Sequence, residues 1–197
     1  MENESEETYS ALFRRLQDRG LEKVWLCVSD AHKGLQAAIR NTLPGTTWQR
    51  CKVHFMRNIL AYVPQKEKEK VAAKLKLIWK APDEKSARAM KNDFCKEYEK
   101  SFPKAVECLE EGFEDSVQFY AFEELDSRKI SSTNTLERLN REIRRRSSVV
   151  GIFPSTDSYI RLITSYLLEY SEDWQTERCY INAGSIKVQK EILFNAA

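Results

Sequence analysis

The sequence predicts a helix-rich α/β protein, and three observations carry that expectation. Gly and Pro are scarce, at 6 and 5 of 197 residues, which favours long helices. One run, Val24-Trp25-Leu26-Cys27-Val28, is apolar without alternation over strand length, as expected of a parallel strand covered on both faces. Helical periodicity flanks it on both sides, giving a helix–strand–helix rhythm.

In chain order, Tyr9, Leu12, Phe13 and Leu16 repeat at helical spacing over 5–19, and Gly20 is a natural stop. The apolar strand follows and ends in Ser29-Asp30, after which Leu35, Ala38 and Ile39 open a second helix. In open α/β sheets reactive groups sit just beyond the carboxyl ends of strands, and Asp30 stands at such a place. Residues 41–45 read as a turn and 47–53 as a second short strand. From Phe55 the alternation stops. Amphipathic helices are expected over 66–80 (Val71, Leu75, Ile78), 83–99 (Ala87, Met90, Phe94, Tyr98) and 104–113, with breaks near Pro64, Pro82 and Pro103. Trp25, Trp79, Phe94, Tyr98 and Trp174 read as core, because their spacing fits packing better than base stacking.

The helix expected over 133–146 carries the most information. Leu136, Leu139 and Ile143 form an apolar stripe. Asn134, Glu137, Arg141 and Arg144 fall on another face at steps of three, four and three. A further amphipathic helix runs through Tyr159, Leu162, Ile163, Tyr166, Leu167 and Tyr170, and the last sixteen residues find no place in the pattern.

Bulk composition narrows the function classes. Hydrophobic residues reach 42%, enough for a core, while charged residues reach 31% and nearly cancel to +2, so any nucleic-acid signal must be local. The concentrated basic patch is Arg138, Arg141, Arg144, Arg145 and Arg146, with Arg128 and Lys129 upstream. No apolar run approaches the ~18 residues of a membrane span. The acidic start is unlike a secretory signal. Five cysteines, an odd number without a C-x-x-C pair, fit reduced thiols better than a disulfide framework. The bulk reading is a soluble intracellular protein.

Three blocks then carry a resemblance. Val28-Ser29-Asp30-Ala31-His32-Lys33-Gly34-Leu35 resembles the second-aspartate motif of the bacterial Mutator-like transposases of the IS256 type. The stretch from Trp48 to Asn58, with Cys51 and His54, resembles that family's Cys-x-x-His segment. The stretch from Ser132 to Arg146, continued through Val149 to Ser155, resembles the block bearing its third acid. Together the blocks span most of residues 6–181 in the family's order.

That resemblance implies an RNase H-like core in which three acids hold two divalent cations, Mg2+ or Mn2+, for cutting and joining DNA. Asp30 and Glu137 match the second and third acids, as catalytic and metal-holding residues. Arg138, Arg141, Arg144, Arg145 and Arg146 become the expected phosphate contacts. Asn134 helps fix the Glu137 helix, and Cys51 and His54 support the pocket. The pair has the spacing of half a zinc site, but ligand counting favours a core Cys beside a hydrogen-bonded His. The first acid has no match, since no strand ending in Asp precedes Asp30, and Glu7, Asp18 and Glu22 are poor substitutes. The expectation is therefore an N-terminally truncated core, incompetent for transposition alone. Residues 1–63 form its first part, 64–130 an all-helical insertion, 131–181 the returning part and 182–197 a tail. The implied partners are double-stranded transposon-end and target DNA and further copies of the chain, in the bacterial cytoplasm at the nucleoid, with no small-molecule cofactor. The alternatives are a non-catalytic module that binds DNA or full-length subunits as a regulator, and an unrelated helical interaction protein.

Overall fold

The apolar run from Val24 to Val28 gives a strand only from Leu26 onward, extended to Ser29 by a parallel partner. In the computed structural model, which describes residues 4–176 and 180–195, β1 (Leu26–Ser29) pairs in parallel with β2 (Thr47–Arg50). The register runs from Leu26 opposite Thr47 to Ser29 opposite Arg50. A parallel pair needs a crossover, and α2 (Lys33–Thr42) supplies it, burying Ala38 and Ile39. β1 itself is half-buried rather than covered on both faces, with only Ser29 fully buried. The two strands form the sheet of the described residues, and the other regular elements are helices.

Before β1, α1 (Glu6–Asp18) packs on α2. Ser5 caps its start by accepting the Thr8 amide, and Gly20 closes it at φ +98°. There the Gly20 and Leu21 amides reach back to the Gln17 and Leu16 carbonyls, a C-cap that suits a residue without Cβ.

The strand expected to reach residue 53 stops at Arg50. The Cys51 amide donates to the Ser29 carbonyl (2.6 Å), and the chain turns at once into α3 (Lys52–Ala61). Beyond it α4 (Lys68–Ile78), α5 (Glu84–Tyr98) and α6 (Pro103–Ser116) follow the expected periodicity. Pro103 occupies the first turn of α6, where a missing N–H costs nothing. Asp83 caps α5 through the Ser86 amide, and that bond holds its carboxyl below the usual range. The layer closes over Phe55, Ile59, Val71, Leu75, Leu109 and Phe113, each 1% exposed or less. Trp79 meets Phe55 edge-on at 5.8 Å and donates its indole N–H to Ser116 Oγ. Phe94 and Tyr98 are buried as expected, while Trp25 is half-buried under Lys23.

Two polar devices tie this layer to the sheet. Gln49, fully buried in β2, donates to the Arg50 and Ser116 carbonyls (2.7 and 2.8 Å) and accepts the Phe119 amide (2.8 Å). Arg50 lies over the Phe55 ring (4.1 Å) against α6. Gly112 makes room for both: a Cβ there would come within 2.1 Å of the Arg50 guanidinium and 2.7 Å of Phe55.

The chain divides into two units. The first comprises residues 1–122 with 130–132, and the second comprises 123–129 with 133–197. After the short helix α7 (Ser127–Ile130) come α8 (Asn134–Val150) and α9 (Thr156–Thr176), which pair in the second unit. The unplaced C-terminal stretch is α10 (Ala183–Asn195), whose buried Gln189 accepts the Glu124 amide (3.1 Å). The expected Leu136 stripe is only partly packed, with Leu139 and Ile143 half-buried. Leu136 is 57% exposed, and α8 buries no residue. The side chain of Trp174 and Cys179 lie outside the described residues. Among the described residues, no helix is long and apolar enough to cross a membrane.

Candidate functional site

Asp30 stands where β1 ends, one residue beyond Ser29, with its side chain exposed. Ser29 is 7% exposed. Its hydroxyl accepts the Trp48 indole N–H (2.9 Å) and donates to the backbone carbonyl of Asp30 (2.8 Å). The Asp30 carboxylate makes no hydrogen bond or ion pair among the described residues. Its charge is felt at Tyr9, whose phenol is pushed up by burial first, then by Glu4 and Asp30.

Asp30 does not cap α2; His32 does. The His32 Nδ1 accepts the Leu35 amide (3.2 Å), which fixes the proton of a neutral ring on Nε2, and Tyr9 meets the ring edge-on at 5.6 Å. Cys51 is fully buried at the N-cap of α3, and His54 is half-buried in the first turn. The neighbouring Lys52 amide donates to the Ser131 carbonyl (3.1 Å), so buried Ser131 is anchored beside the end of the sheet.

Glu137 lies in the first turn of α8, where the helix dipole favours a carboxylate. Thr133 Oγ1 donates to its Oε1 (3.1 Å). Asn134 is the exposed first residue of that helix, and its side chain makes no hydrogen bond among the described residues. At about 100° per residue, Arg141 and Arg144 share the face of Glu137, with Arg138 and Arg145 beside it. Arg138, Arg141 and Arg144 are exposed and form no ion pair among the described residues. Arg145 bonds Glu142 (3.0 Å). Arg146 points the other way, lying over Tyr166 of α9 (4.1 Å) with Glu169 at 3.8 Å.

Ser29, Trp48 and His32 were not singled out from sequence as site residues. A Ser before the strand-terminal Asp and a Trp on the next strand are the signals that could have found two of them. His32, three residues before Leu35, has the spacing of a side-chain cap.

The first unit thus offers a strand-terminal aspartate, and the second a helix bearing Glu137 and Glu142 with exposed arginines. Comparison with known sequences is specific. The model of the family "Transposase, Mutator family" matches residues 1–177, and the chain belongs to that family. It is similar to the transposase for insertion sequence element IS256 in transposon Tn4001 of Staphylococcus aureus, 41% identical over 182 residues. That match covers 91% of this chain and 46% of the relative. The transposase for IS1081 of Mycobacterium tuberculosis is 42% identical over 171 residues, 87% of this chain and 41% of its own length. The transposase for ISRM5 of Rhizobium meliloti is 36% identical over 194 residues, 98% and 49% respectively. The chain spans about half the length of these curated relatives.

Proposed function

We propose that this chain acts in DDE-type DNA transposition, the metal-dependent cleavage and strand transfer of transposon ends, with Asp30 and Glu137 as its metal-holding acids. The single observation that carries the reading is the position of Asp30 at the carboxyl end of a parallel strand pair, in a member of a transposase family. On this reading β1, α2 and β2 belong to an RNase H-like core, residues 64–130 are a helical insertion, and 131–181 return to the core with the third acid. The first acid is not among this chain's matched positions. The active assembly contains double-stranded DNA and further copies of the chain, at the bacterial nucleoid.

The donor chemistry fits the cation. Asp30 and Glu137 offer hard carboxylate oxygens, as Mg2+ and Mn2+ prefer, and such ions keep waters and substrate phosphates as further ligands. When bound, the metals supply activation of the attacking oxygen and stabilisation of the leaving one. The chain's own residues do the rest. Asp30 and Glu137 orient the reacting phosphate's surroundings, and Thr133 holds the Glu137 carboxylate. Arg141 and Arg144, with Arg138 and Arg145, hold DNA phosphates in register without reading sequence. Asn134 starts the helix that aims Glu137, and Cys51 and His54 shape the turn below the end of the sheet.

Binding of Mn2+ to the chain, followed by the paramagnetic signal of the free ion, tests the reading. Asp30→Asn and Glu137→Gln are each expected to weaken binding about tenfold or more. Wild-type affinity in both variants would defeat it. Plasmid nicking then separates roles. Metal-dependent nicking abolished by Glu137→Ala marks the chain as catalytic by itself, whereas DNA binding without nicking marks a regulatory, DNA-holding chain.

A further inference from the structure

The Asp30 carboxylate is exposed and unsupported by any hydrogen bond of its own among the described residues, yet the backbone that aims it is held from two sides. We propose that Trp48 and Ser29 are positioning residues for Asp30, forming a relay that fixes the peptide from which its carboxylate projects. This rests on the reading of Asp30 as a metal ligand.

The direction of the relay follows from donor inventory. An indole N–H can only donate, so Trp48 must give its proton to Ser29 Oγ (2.9 Å). That leaves the single Ser29 hydroxyl proton for the Asp30 carbonyl (2.8 Å). Ser29 is 7% exposed, so water is a poor substitute for either partner. The Ser29 carbonyl accepts the Cys51 amide (2.6 Å), which pins the preceding peptide as well. The origin of the relay is braced in turn. Trp48 is followed in β2 by Gln49, whose fully buried amide is consumed by Arg50, Ser116 and Phe119. The sequence of restraint therefore runs from the helical layer through β2 to the end of β1. With its carboxylate free of side-chain partners, Asp30 takes its aim from the backbone, and loosening that backbone should cost metal affinity. A Trp serving only as packing would make no such demand on its N–H.

The test uses the 197-residue chain and Mn2+ alone. Trp48→Phe keeps the ring and loses the N–H, Ser29→Ala removes the hydroxyl, Ser29→Thr retains it, and Asp30→Asn is the control. Mn2+ affinity should fall about tenfold in Trp48→Phe and Ser29→Ala, the low end for partners that orient a ligand. Ser29→Thr should stay within about twofold of wild type, since a β-branched hydroxyl residue suits a strand. The carbonyl 13C resonance of Asp30 should move in Ser29→Ala and return in Ser29→Thr, a signature that mere loss of packing would not produce. If Asp30→Asn abolishes binding while Trp48→Phe and Ser29→Ala bind as wild type, the relay is overturned and the metal reading survives. If Asp30→Asn leaves binding intact, the metal reading fails and the positioning role falls with it.

Discussion

The two units of this chain bury their side chains on very different terms. Among the described residues, every buried apolar side chain except Tyr166 belongs to residues 1–122 with 130–132. In the second unit Val149 and Ile152 are 83% and 90% exposed, and α8 buries nothing. The first unit is held by close packing around Phe55 and by a buried amide clamp at Gln49. The second is held by single polar and ring contacts, among them Gln189 to Glu124, Arg146 over Tyr166, and Tyr180 to the Lys129 carbonyl and the Thr135 hydroxyl. The proposed acids divide along the same line. Asp30 stands at the end of a paired strand, whereas Glu137 rides on a helix whose Arg138, Arg141 and Arg144 are exposed. On the proposed function, the first element would define geometry and the second would meet a long polyanion.

The largest expected effect lies in the first unit. Phe55→Ala should cost about 3–5 kcal/mol in chemical denaturation, whereas Leu136→Ala should stay within about 0.5 kcal/mol. Equal losses would erase the contrast between the units. Gln49→Ala comes next, at about 2–4 kcal/mol, because it strands the Phe119 amide and two carbonyls in a dry interior.

On the second unit the effects concern binding. Replacing Arg141 and Arg144 together by Ala should lower the slope of log affinity against log salt by about 2 for DNA. Arg146→Ala should leave that slope nearly unchanged, since Arg146 is engaged with α9. A filter-binding series in salt separates the two. The smallest effect is a pH response at Asp126. Hydrogen bonds from the Arg128 side chain and amide hold its carboxyl down to about 2. A depressed folded-state value contributes stability fully present above the unfolded value near ~3.9. It is lost as pH falls from there through about 2, and a 13C titration of the Asp126 carboxyl should show that low midpoint.

Where sequence and structure agree, the reason is periodicity. Val71, Leu75 and Ile78, and Ala87, Phe94 and Tyr98, repeat at helical spacing and are buried as that spacing requires. Asp30 at the end of β1 was legible because an apolar run ended there. The end of β2 was not. Lys52 and Val53 extend the pattern, but the Cys51 amide is taken by Ser29 and the chain turns into a helix. Gln49 was illegible for a related reason: a polar residue in a strand reads as outward-facing until its three partners are known. The Leu136, Leu139 and Ile143 stripe correctly gave a helix but not its burial, because periodicity specifies a face and says nothing of what covers it. Of the site, the motifs supplied the acids and arginines, while the hydrogen bonds through Ser29 and Trp48 needed coordinates. α10 escaped because Ile186, Val188, Ile192 and Leu193 do not share one face, and its best-buried side chain is the polar Gln189.

The central proposal is that Asp30 and Glu137 are metal-holding acids, and a crystal of the chain grown with Mn2+ tests it most directly. Anomalous scattering locates the ion without reference to the protein. The account predicts that carboxylate oxygens of Asp30 and of Glu137 each coordinate Mn2+ at about 2.0–2.3 Å. Peaks bound elsewhere altogether, with neither carboxylate a ligand, would contradict it.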